Sequence, residues 1–149
     1  PLATTAYIAS QICFFVTLYA LFVIHRDEAP TLAIAGIGVL AISIGVSLFI
    51  DPTDMTNPLL LVLTICYGIG GVILGLLAYR SPRLTRGMGI AAMLTGVFSL
   101  VMAPFILTGM AELVGLLNLG VSIPYLIWIV WLGLHLAQGS MRGLPMEQH

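Results

Sequence analysis

Lysine is absent from this 149-residue chain, and its five cationic side chains are all arginine. Without an amine there can be no Schiff base, which excludes retinal and pyridoxal attachment. Charge of either sign is scarce, at 7% of residues, where a soluble domain carries about a quarter. Only two cysteines occur, Cys13 and Cys66, and they lack the C-x-x-C spacing of a redox pair. They are expected to act as small packing residues of similar depth, a geometry that leaves a bridge between them open. There is no G-x-S-x-G, no H-E-x-x-H and no phosphate loop. Nucleic-acid binding needs a basic patch with more reach than three loop arginines, so no nucleic-acid partner is expected.

Apolar length is what the chain has in abundance, with 60% hydrophobic residues. Five runs reach the roughly 20 residues needed to cross a bilayer core: Thr4–Ile24, Thr31–Ile50, Leu59–Tyr79, Gly87–Leu107 and Leu113–Ala137. None contains Asp, Lys or Arg, each of which would cost about 2.5–3.5 kcal/mol at mid-membrane. Strict apolar–polar alternation is missing, so helices and not barrel strands are expected to span. The first run lacks a basic leader, and we read it as a helix of the mature protein.

The arginines fall into alternate gaps. Arg26 lies in the first, Arg80, Arg83 and Arg86 in the third, and Arg142 follows the fifth run; Asp51, Asp54 and Glu112 lie in the second and fourth. By the positive-inside rule this predicts an all-α fold: a polytopic bundle of five transmembrane helices forming one domain over residues 1–149, its N-terminus outside and its C-terminus cytoplasmic, in the plasma (inner) membrane. Asp51-Pro52, Asn57-Pro58 and Ser81-Pro82 mark chain reversals. Asp51 and Asp54 are expected to serve as turn and capping residues, and with Asn57 make a weak calcium set. Glu112 suits the positive end of a helix. Pro104 and Pro124 are expected to kink or break their helices. Residues 31–79 and 87–137 share a matching pattern of glycines and Leu-Gly-Leu, the pattern of a parallel repeat.

Small residues recur every three or four positions in the runs, which sets them on one helix face. Gly38 and Gly45, then Gly68, Gly71 and Gly75, then Gly89 and Gly96, form seams for close helix packing. Such seams can face the same bundle or a second subunit. The polar residues inside the runs are fewer. Asn118, Ser122 and Tyr125 share a face of the fifth run, and Gln11 and Tyr67 lie at comparable depth. These five are the candidates for contact with a ligand or solute. Trp128 and Trp131 are expected as interfacial anchors. His25 and His135, at the arginine side, are weak candidates for a metal or haem, with no cysteine or carboxylate as a third ligand; no metal is predicted.

The reading favoured by residue pattern alone is a non-enzymatic integral protein that acts by helix packing, as a homo-oligomer or an accessory subunit of a membrane assembly. Its partners would be the lipid bilayer and other membrane subunits, itself included. A carrier or channel for a small neutral or lipophilic solute is the first alternative. A redox or lipid-modifying enzyme using His25 and His135 is the second. No cofactor is predicted, with haem or a quinone attached only to that last alternative.

Overall fold

The computed structural model describes residues 2–50, 54 and 56–142, with side chains described for 11–50, 54 and 56–138. It contains five helices in sequence: α1 (Leu2–His25), α2 (Pro30–Ser47), α3 (Pro58–Arg80), α4 (Arg86–Leu107) and α5 (Ala111–Arg142). Four of them, α2 to α5, are long and apolar enough to cross a membrane. Of α1, the part with described side chains, Gln11–His25, is apolar but shorter than a full crossing.

The boundaries follow from local chemistry. Asn57 caps α3, its side chain accepting from the Leu59 amide at 3.0 Å, and Pro58 follows at the first helical position. There its missing N–H is no loss, and its fixed φ favours helix. Pro30 opens α2 in the same way. The apolar run that predicts a helix to Ile50 overshoots. α2 ends at Ser47 and Leu48–Ile50 form a turn, because hydropathy alone does not register where backbone hydrogen bonding stops. At the end of α4 the Gly109 amide donates to Ile106 O and the Met110 amide to Phe105 O, each at 3.1 Å. Gly109 has φ +66°, the left-handed residue such a C-terminal closure needs. α5 continues beyond the expected Ala137 to Arg142.

Neither internal proline breaks its helix, since α4 runs through Pro104 and α5 through Pro124. Each proline removes one backbone hydrogen bond and leaves the rest of the ladder intact. Trp128 also departs from expectation. It lies mid-helix in the longer α5 and is 4% exposed, so it belongs to the core; Trp131, one turn on, is 41% exposed.

α3 and α4 approach most closely, and glycine is the reason. A Cβ on Gly96 would stand 2.6 Å from both Gly68 O and Val72 N, and one on Gly75 would stand 2.6 Å from Met93 N. A Cβ on Gly71 would stand 3.0 Å from Gly96 Cα, one on Gly89 would meet the Tyr79 backbone, and one on Gly68 would meet Leu100 and Gly96 O. Where helices have no hydrophobic drive to associate, backbone approach of this kind supplies dispersion contacts that larger side chains would block. Gly38 and Gly45 differ: no described residue lies within 4 Å of where their Cβ atoms would be. α2 meets α3 instead through Gly36, against Ile73 and Leu74, and Gly70, against Leu40. Ser43 Oγ adds a 2.9 Å hydrogen bond to Leu63 O across the same contact.

The core joins Phe14, Leu18 and Leu21 of α1 to Leu40, Leu74, Met88 and Leu132. Outside it, large apolar side chains face outward: Leu32, Ile34 and Ile42 on α2, and Leu116, Leu119, Ile123 and Val130 on α5 are all more than half exposed. Soluble monomers rarely expose apolar surface on this scale. The architecture is that of a bundle with apolar surroundings.

Candidate functional site

The ends of the bundle differ in character. At the end where α2 stops and α3 begins, the helices diverge around a cleft of about 380 Å³, within the range of small-molecule sites, roughly 300–1,000 Å³. All five helices contribute a polar side chain to it. Gln11 comes from α1, Ser43 and Ser47 from α2, and Thr64 and Tyr67 from α3. Ser99 comes from α4, and Asn118, Ser122 and Tyr125 from α5. Among the described residues, no Asp, Glu, Lys, Arg or His lines the cleft. Leu60, near its mouth, and Tyr67 at its base are seven residues apart on α3, which sets the depth at about 10 Å.

The five residues singled out as ligand candidates therefore stand around one space. The hydroxyls of Ser43, Ser47, Thr64 and Ser99 extend the set beyond what residue pattern picked out. Thr64 and Ser99 had only the signature of small seam residues. Ser43 and Ser47 are four apart on α2, a same-face spacing that was the available signal.

These polar groups divide by how their hydrogen bonds are used. Ser43 donates to Leu63 O, Ser47 to Ile44 O at 2.7 Å and Thr64 to Leu60 O at 2.8 Å. The side chains of Gln11, Tyr67, Ser99, Asn118, Ser122 and Tyr125 make no hydrogen bond to other described residues. Six polar side chains thus face a shared space with their capacity unspent, in a bundle that is otherwise apolar.

Aromatic rings close the bottom. Phe14 stacks on Tyr125 with centroids 5.5 Å apart and meets Tyr67 and Trp128 at 6.4 Å. Tyr125 and Trp128 are 6.3 Å apart. All four distances fall in the favourable range for aromatic pairs. Beneath them is a small void of about 10 Å³ between Leu40, Gly71, Leu74, Ala92, Thr95 and Trp128, room for one water at most. Phe14 and Tyr67 border both spaces, so the aromatic group is the partition between cleft and void.

The arginine end is closed by a polar network centred on Glu28. Glu28 Oε2 accepts from His25 Nδ1 at 3.1 Å, and Oε1 accepts from Ser81 Oγ at 3.1 Å with Arg83 Nε at 3.5 Å. Arg83 also donates to Ile24 O at 3.1 Å, and its own carbonyl accepts from His135 Nε2 at 2.8 Å. The acceptors fix the tautomers, with the proton on Nδ1 of His25 and on Nε2 of His135. Two connections and a helix are thereby tied together: the α1–α2 turn, the α3–α4 turn and α5. His25 is 0% exposed, and its Nε2 has no partner among the described residues. Both histidines are engaged by the protein, and no group of three His, Cys, Asp or Glu able to hold a metal stands among the described residues. Glu28 gave no sequence signal. It follows Arg26 and Asp27 in what reads as a solvated turn.

Elsewhere the polar residues cap and turn. The Thr56 amide and hydroxyl both donate to Asp54 Oδ1, at 3.0 and 2.5 Å, and Glu112 lies in the first turn of α5. Asp51 lies outside the described residues. Cys13 and Cys66 are free thiols.

The class that fold and site define is an all-helical, apolar bundle with four helices of membrane-crossing length. No family model matches the chain, and no curated protein or solved structure shows significant similarity to it.

Proposed function

We propose that this protein is a membrane carrier for a small uncharged molecule, which it binds in the cleft between its five helices. In this reading all five helices cross the membrane, with the arginine end in the cytoplasm and the cleft facing outward. The observation that carries it is the convergence of six hydrogen-bonding side chains, with no partner among the described residues, on one space of about 380 Å³. Polar groups in a membrane bundle ordinarily satisfy each other, because an unsatisfied one costs several kcal/mol in hydrocarbon. A protein that acts by packing alone gives these groups no role, whereas a ligand or its water supplies their partners.

The described lining of the cleft carries no charge, which favours a neutral solute. An ion leaving water for this lining would lose its hydration with no counter-charge to replace it. The phenols of Tyr67 and Tyr125, the Asn118 amide and the Ser122 hydroxyl offer donors and acceptors, while Phe14, Leu63 and Met102 offer apolar walls. The matching solute is small and amphipathic. Two barriers stand between the cleft and the arginine end, the aromatic partition and the Glu28 network. Both must part for delivery, and in this reading the bundle is open to the outside and closed to the cytoplasm.

Asn118→Leu tests this reading. Asn118 makes no hydrogen bond to other described residues and lines the cleft, so its loss leaves the fold intact. Mass spectrometry of extracts from protein purified in mild detergent should find an uncharged small molecule retained by the wild type. Asn118→Leu should reduce its retention by about 10-fold or more, the equivalent of one or two hydrogen bonds. Proteoliposome uptake of the recovered compound should fall in parallel. Equal retention and equal uptake by a folded variant would end the proposal.

A further inference from the structure

We propose a second binding site, for the headgroup of an anionic phospholipid, at the arginine end between α3 and α4. The reason is an imbalance of charge. Four arginines with described side chains gather at this end, and the carboxylates described there are Asp27 and Glu28. Arg26 is paired with Asp27 at 3.6 Å and Arg83 with Glu28 at 3.5 Å. Arg80 has no ion pair or hydrogen bond to any described residue, and the described contact of Arg86 is with a ring. These two unpaired arginines border the same concavity, an open space of about 490 Å³ floored by Leu84 and walled by Tyr79.

The arrangement suits a phosphodiester. Arg86 Cζ lies 5.9 Å from the centre of the Tyr79 ring, within cation–π range. The ring steadies one guanidinium at the rim while its N–H donors stay available. Two guanidinium groups facing one pocket can bind a phosphate oxygen pair in the planar geometry that arginine favours. Ser81 is not part of this set, because its hydroxyl is committed to Glu28.

The surface leading away from the pocket selects a lipid over a free anion. Leu76 lies three residues before Tyr79 on α3, and Ile90, Leu94 and Val97 follow Arg86 on α4 at helical spacing. All four are exposed. Residues three and four apart share a helix face, so an apolar track runs from the charged pocket toward the middle of the bundle. A headgroup in the pocket would lay its acyl chains on that track. Soluble phosphate would gain nothing from it. This inference does not depend on the cleft at the other end.

Native mass spectrometry of the full chain, titrated with phosphatidylglycerol or phosphatidylcholine, tests it. The wild type should retain phosphatidylglycerol in preference to phosphatidylcholine. Arg80→Gln and Arg86→Gln should each weaken that retention about five-fold, and the double variant about 30-fold, taking the usual worth of an arginine near an anionic surface. Arg26→Gln, whose partner is Asp27, should leave it unchanged. Circular dichroism identifies any misfolded variant, and the two single variants then carry the comparison. Equal retention of the two lipids, or equal losses for Arg26→Gln and the Arg80 and Arg86 variants, overturns the site. Displacement of the lipid by millimolar inorganic phosphate would do the same, since it would mean that the pocket binds a free anion and the track contributes nothing.

Discussion

Gly96→Val should destabilise the bundle by about 3 kcal/mol or more, the upper end of what overpacking costs. The first added carbon would meet Gly68 O and Val72 N at 2.6 Å and Gly71 C at 3.0 Å. All three atoms are backbone of α3, so no side chain can rotate aside and the helices must separate. Separation forfeits the dispersion contacts that hold helices together in lipid. The gain in helix propensity on replacing glycine, less than about 1 kcal/mol, is too small to compensate. Gly133→Val is the matched control, because a Cβ there meets no described residue within 4 Å. Unfolding by SDS in mixed micelles, followed by circular dichroism, should show a large shift for Gly96→Val and almost none for Gly133→Val. Gly68→Val should fall between them, since its two nearest obstructions are atoms of the Leu100 side chain, which can move, and the backbone Gly96 O stands farther off at 3.0 Å. Equal shifts at positions 96 and 133 would mean that α3 and α4 are not in backbone contact.

The second large effect is expected at Glu28. Glu28→Ala removes the common acceptor of His25, Ser81 and Arg83. The ion pair itself is worth little, because the Arg83 side chain is about half exposed and exposed pairs contribute at most about 1 kcal/mol. His25 decides the magnitude. It is fully buried, its Nε2 already lacks a partner, and the substitution would strip Nδ1 as well. A buried polar atom left unsatisfied costs about 1–3 kcal/mol, so a loss of about 2 kcal/mol is expected. Glu28→Gln keeps an acceptor oxygen for His25 and should lose less than half of that. Melting temperatures in one detergent would order the three proteins, and an alanine variant as stable as the wild type would mean that the network does not hold the turns together.

Much of the helical layout is legible in the sequence, because a run of about 20 apolar residues has few other uses. The errors fall where hydropathy and hydrogen bonding part company. Leu48, Phe49 and Ile50 are as apolar as the helix before them, yet they turn. Trp128 resembles an interfacial anchor until the full length of α5 is known, at which point it is mid-helix and buried. Periodicity sets Gly68, Gly71 and Gly75 on one face but cannot say what they face; in this structure that is α4. The same periodicity treats Gly38 and Gly45 alike, although no described residue stands against them.

The cleft was only half legible. Asn118, Ser122 and Tyr125 stand out because an amide and a phenol are costly in an apolar helix. Ser43, Ser47, Thr64 and Ser99 do not, because a lone hydroxyl can satisfy itself on its own helix, as Ser47 and Thr64 do. Their convergence needs the packing of α2, α3 and α4. The Glu28 network is invisible for the same reason: Glu28 and Ser81 are 53 residues apart and each sits in an ordinary polar turn.

The central claim is that the cleft opens to the outside while the arginine end lies in the cytoplasm. Cysteine accessibility in intact cells tests it, using a membrane-impermeant thiol reagent and a background of Cys13→Ala with Cys66→Ala. Asn118→Cys, at the cleft, should react in intact cells, and Arg26→Cys, at the arginine end, only after permeabilisation. Reaction of Arg26→Cys in intact cells, with Asn118→Cys protected there, would contradict the account.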